Sequence, residues 1–74
     1  MKLPVNMSGS EVIKILVDHY GWSIHRRKGS HVTLKKGNVA DILTVPMHKE
    51  LDQGTLNSIL RKADIAREHF LEKR

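Results

Sequence analysis

Seventy-four residues make one small domain, with no room for a second core. The absence of cysteine excludes disulfides and thiolate metal sites, and no run approaches the roughly 18 apolar residues of a membrane span. Thirteen Lys and Arg against eight Asp and Glu leave +5, which suits a polyanionic partner such as nucleic acid, an anionic membrane or an acidic protein. No basic-then-apolar leader opens the sequence, so neither a secretory signal nor a membrane span is predicted. Zero cysteine fits a cytoplasmic protein.

In chain order, an extended start at Lys2-Leu3-Pro4-Val5 leads into Ser8-Gly9-Ser10-Glu11. Ser8 with Glu11 three residues later is a capping box. The apolar stripe Val12, Ile13, Leu16 and Tyr20, widened by Ile15 and Val17, then predicts a helix over Gly9 to Tyr20, with Gly21 as its left-handed stop. The period next switches to two. Trp22, Ile24 and Arg26 alternate with Ser23, His25 and Arg27 before the break at Lys28-Gly29-Ser30. Val32 and Leu34 alternate with His31, Thr33 and Lys35; Gly37-Asn38 marks a tight turn, and Val39 to Val45 reads as a third strand ending at Pro46. Asp52 caps a second helix whose apolar face is Leu56, Ile59, Leu60 and Ala63, and a last helical turn tucks Phe70 against the core. The order α-β-β-β-α, with two apolar helix stripes over one apolar sheet face, predicts a single α+β domain over 1–74, a two-layer sandwich on a three-stranded antiparallel sheet.

A register follows from keeping one sheet face apolar. With Ile24, Val32 and Leu34 inward, a three-residue loop from Lys28 to Ser30 sets Ile24 opposite Leu34 and Arg27 opposite His31. A two-residue Gly37-Asn38 turn sets Val32 opposite Leu43 and His31 opposite Thr44. Asp41 then points inward.

Three motifs stand in order on these elements: Gly29-Ser30-His31-Val32, Val45-Pro46-Met47-His48, and Gly54-Thr55-Leu56 followed by Ile59-Leu60 and Ala63. Together with Leu3-Pro4-Val5 and the Ser8 to Ile13 segment, they resemble the HicA (YcfA-like) toxins, mRNA interferases of toxin–antitoxin systems. The resemblance runs from the first residues to about Ile65. It implies a double-stranded-RNA-binding-domain-like fold and a ribosome-independent endoribonuclease. It also implies a HicB-type antitoxin as the silencing partner, with the toxin a monomer alone and a hetero-oligomer in that complex. The family's catalytic histidine is the one in its Gly-Ser-His motif, which is His31 here.

The residues support that chemistry. Cleaving RNA without a metal needs a base for the ribose 2′-hydroxyl proton, and the histidine side chain titrates near physiological pH. His31 leaves a glycine-containing turn, so a phosphodiester can approach it. Arg26, Arg27, Lys28, Lys35 and Lys36 cluster around the same hairpin and, with Gly29 and Ser30, form the expected RNA-binding set. His48 is a candidate auxiliary acid, or a structural residue of the loop into the second helix. His25 could flank the site; His19 and His69 read as solvated helix residues. No cofactor and no metal is expected, because Asp18, Asp41, Glu50 and Asp52 are scattered and no zinc-type spacing exists. Ile42 faces outward beside Thr33 in this register, an apolar centre in a basic rim. His31 and Ile42 are therefore the expected antitoxin contacts. The rival function is a non-catalytic RNA-binding module of the same fold. Against it, the second helix opens with Asp52, where such modules present lysines to phosphates.

Overall fold

The computed structural model describes residues 6–37 and 42–74. Helix α1 spans Gly9–Tyr20 and opens on the expected capping box: the Glu11 amide donates to Ser8 Oγ and the Ser8 amide to Glu11 Oε1, each at 3.1 Å. It stops where Gly21 turns left-handed at φ 77°. Three antiparallel strands follow, β1 (Ser23–Lys28), β2 (His31–Lys35) and β3 (Leu43–Pro46), in the spatial order β1-β2-β3. Helix α2 (Gln53–Ala63) is capped by Asp52, whose carboxylate accepts the Thr55 amide at 2.7 Å, and it ends on a left-handed Asp64. A short α3 (Arg67–Leu71) completes the chain.

The predicted α-β-β-β-α sandwich is the observed one. Val12 and Leu16 of α1, Val32 and Leu34 of β2, Leu43 and Val45 of β3, and Leu56 of α2 are all at 0% exposure. Phe70 of α3 joins them there, as the sequence predicts. Its burial is secured at both ends of α3: the Arg67 guanidinium donates to Gln53 and Asn57 of α2, and the Phe70 ring stacks on Tyr20 at 6.1 Å. The helix layer also approaches β3 closely at one point. The Gly9 amide donates to the His48 carbonyl at 3.0 Å, and a Cβ at Gly9 would stand 2.1 Å from the Pro46 oxygen. Only glycine fits there.

The register differs from the expected one in two places. Lys28, not Arg27, stands opposite His31, so the β1–β2 turn has two central residues, Gly29 and Ser30. Gly29 has φ 57° and Ser30 does not share the positive sign, the pattern of a type II′ turn with glycine first. Continued without interruption, that turn would carry Ile24 to Lys35 on the open face. A bulge between Ile24 and Arg26, at His25, absorbs one residue and restores Ile24 to Leu34. Ile24 thus returns to the helix side, but it stays 48% exposed there rather than buried as expected, while the two-residue turn itself pairs Arg26 with Thr33 and Arg27 with Val32.

The β2–β3 ladder is shifted by two residues from the expected pairing. His31 meets Pro46, Val32 meets Val45, Thr33 meets Thr44 and Leu34 meets Leu43. A shift of two conserves the face of every side chain, so Leu43 and Val45 stay buried. The described strand begins at Leu43 rather than Val39. The expected extended start at Lys2 to Val5, the Asn38 half of the second turn, and the inward placement of Asp41 lie outside the described residues.

Candidate functional site

The open face of the sheet is built by the two turns of register just described. Residues that pair with one another share a face. Lys28, His31 and Pro46 therefore form one row, Arg26, Thr33 and Thr44 the next, and Ser23 and Lys35 the third. His31 is exposed at the head of β2, directly after the Gly29-Ser30 turn. No Cβ-range neighbour crowds Gly29: nothing lies within 4 Å of where one would stand. A phosphodiester can thus reach the imidazole over bare backbone. Lys28, across the ladder, has its Cα about 5.5 Å from that of His31, the spacing of a hydrogen-bonded antiparallel pair.

The second motif is held against the first. The Met47 amide donates to the Ser30 carbonyl at 2.6 Å, which extends the β2–β3 ladder past Pro46. His48 follows immediately, exposed, two residues beyond the position paired with His31. Its carbonyl accepts from Gly9, and its imidazole lies near enough to the Asp52 cap to act on it electrostatically. The hydrogen bonds from Thr55 hold the Asp52 carboxyl below its ordinary value, and His48 adds to the same direction. So the Pro46-Met47-His48 segment joins the Gly-Ser-His turn to the start of α2.

The expected RNA-binding set divides. Arg26, Lys28, Gly29, Ser30 and Lys35 lie on or beside the open face with His31. Arg27 does not: the two-residue turn pairs it with Val32 on the helix side, where it lines a groove with Ile13, Lys14 and Val17 of α1. Lys36 lies past the end of β2, half-buried, with its Cε beside the Gly21 cap of α1. There its charge faces the negative end of the helix dipole. Ile42 is 44% exposed, as expected of an outward residue, but its neighbourhood is not the expected one. It directly precedes β3, level with Lys35 rather than Thr33, about 13 Å along the sheet from His31 at about 3.3 Å per residue.

His25 sits in the bulge and His19 on α1, both exposed. His69 is exposed yet engaged: its Nδ1 and the Tyr20 hydroxyl share a hydrogen bond of 2.7 Å, a correction to its reading as simply solvated. Burial, with the nearby Glu72 carboxylate, pushes the Tyr20 hydroxyl above its ordinary value. Among the described residues, no three His, Asp or Glu side chains gather as a metal site would require. What the sequence reading missed is the Lys28–His31 pairing. The signal was there: glycine as the first of two central residues is the mark of a II′ hairpin.

No described helix is long and apolar enough to cross a membrane. No curated protein matches the chain. A family model does, that of the HicA toxin of bacterial toxin–antitoxin systems, over residues 9–65. That span runs from the first residue of α1 through both histidine motifs to just past α2, and on it the chain belongs to the HicA toxin family.

Proposed function

We propose that this chain is a metal-independent endoribonuclease that cleaves mRNA in the cytoplasm and is neutralised by a HicB-type antitoxin. The observation that carries the reading is the exposed His31 at the exit of a glycine turn, with the Lys28 cation across the ladder on the same face. His31 takes the proton of a ribose 2′-hydroxyl. The freed oxygen attacks the adjacent phosphorus, forming a P–O2′ bond as the P–O5′ bond breaks. The departing 5′-oxygen takes a proton, from His48 as auxiliary acid or from water. Lys28 and Arg26 hold the phosphate and offset the charge that gathers on its oxygens. The antitoxin covers the open face, with His31 at one end of its footprint and Ile42 at the other.

The test is RNA cleavage by the purified chain in excess EDTA. A 2′,3′-cyclic phosphate or its hydrolysis product is expected. His31→Ala should abolish cleavage while circular dichroism and the melting curve stay unchanged, because an exposed strand position usually alters stability by less than about 0.5 kcal/mol. A fully active variant removes His31 from catalysis. RNA bound but never cut by wild type would favour the non-catalytic module.

A further inference from the structure

Of the three large hydrophobics left exposed among the described residues, Val17 at 39% and Ile24 at 48% flank one groove on the side of β1 away from His31. The groove, about 290 Å³, lies between one flank of α1 and the inward side of β1. Ser10, Ile13, Lys14, Val17 and Asp18 line it at the i, i+3, i+4, i+7, i+8 spacing of a single helix face. Ile24 and Arg27 line it from the strand, and both reach it only because the bulge at His25 sets two residues, not one, between them on that side. The floor is aliphatic. The rim carries Lys14 and Arg27 against a lone Asp18, and none of the three makes an ion pair among the described residues.

We propose that this groove is a second docking surface for the antitoxin, taking a segment with apolar side chains for Ile13, Val17 and Ile24 and acidic ones for Lys14 and Arg27. The inference rests on the partner named above and not on the nuclease chemistry. Charge selects the occupant. A second copy of this chain would bring +5 against +5, whereas an acidic segment gains steering from the rim and residence time from the apolar floor. RNA would gain little here, because no aromatic ring lines the groove for a base to stack on. Area points the same way. Strands of 6, 5 and 4 residues make an open face on the order of 250 Å² in plan at the usual strand spacing and rise. Even doubled for side-chain relief, that falls short of the roughly 800 Å² that a stable partner covers. β1 is an edge strand, so one partner can pass around it and occupy both faces, blocking His31 from one and holding on through the other.

The experiment is calorimetric titration of the cognate antitoxin into wild type, Val17→Asp and Lys14→Glu, with RNA cleavage and sedimentation of each free toxin in parallel. Both positions are solvent-exposed on α1, so both variants should fold, and the melting curve checks it. Val17→Asp should weaken antitoxin binding at least ~10-fold, about 1.4 kcal/mol, and Lys14→Glu several-fold, with cleavage unchanged. Affinities within twofold of wild type in both variants overturn the proposal. So does a loss of RNA cleavage without loss of antitoxin binding, which would assign the groove to RNA, or wild-type self-association that Val17→Asp abolishes. A wild type that binds antitoxin but cuts no RNA would refute the nuclease reading and leave this comparison intact.

Discussion

Lys28 and His31 face each other across the narrow end of the β1–β2 hairpin, separated in sequence only by Gly29 and Ser30. The pairing puts a lysine and a histidine in one row on the open sheet face, held by the backbone of the hairpin. Such a pair is assembled as soon as the turn closes. Its register is set by the two-residue turn with its left-handed Gly29, while the bulge at His25 lies beyond it, between Ile24 and Arg26.

The division of the basic residues between two faces is measurable through salt. Titrating a non-cleavable 2′-deoxy oligonucleotide over a range of salt concentrations should show a steep log–log slope for wild type. Lys28→Ala should lower that slope by roughly 0.7, the contribution of one phosphate contact on a single strand. Arg27→Ala should leave it nearly unchanged. The reverse result would return Arg27 to the open face.

Gly29→Ala should destabilise by about 1–2 kcal/mol, the cost of forcing a Cβ into a left-handed conformation. Space is not the obstacle, since nothing lies within 4 Å of the new methyl; the strain is in the backbone at φ 57°. Thermal melting should register a drop of roughly 4–8 °C per kcal/mol in a domain of this size. An unchanged melting temperature would mean that the turn is not of the II′ kind.

Asp52 makes stability depend on acid. Its folded-state pKa lies below the ordinary 3.8 because the carboxylate caps α2. The stabilisation is therefore complete above about pH 3.8 and is lost as pH falls through the lower, folded value. Asp52→Asn keeps a capping oxygen but not the charge. Urea midpoints should show the variant weaker at pH 7 and the gap closing toward pH 3. A gap of constant size would show that the charge contributes nothing.

Phe70 lies outside the family-matched span of residues 9–65 yet is wholly buried. Phe70→Ala should cost about 3–5 kcal/mol, the usual loss for a large core ring. Removing residues 66–74 should be at least as damaging, since Arg67 and its bonds to α2 go too. Denaturant unfolding decides it. A truncated chain as stable as wild type would show that residues 1–65 carry a complete core.

Much of the architecture is written locally. The Ser8–Glu11 capping box, the Gly21 stop and the Asp52 cap each depend on residues three or fewer apart or on one backbone conformation, and all were legible in the sequence. The inward residues of β2, β3 and both long helices were legible too, because periodicity reports which face must be dry; the exception is Val17, which widened the expected stripe of α1 but is 39% exposed. His31 was legible from the Gly-Ser-His motif. What stands opposite it was not. A hairpin register is a count of residues across two strands, and a bulge at His25 changes the count by one without marking the composition. The two-residue turn exchanged Arg26 and Arg27 between faces, and the bulge then brought Ile24 back to the helix side. Together they opened the α1–β1 groove, which takes its walls from elements that only the packed chain brings together. The two-residue shift of β3 was equally invisible, since it leaves every buried side chain buried while moving Ile42 away from His31. Local chemistry determined the elements and their dry faces; the pairing between strands, a free-energy choice among registers that bury the same residues, decided which charges meet the histidine.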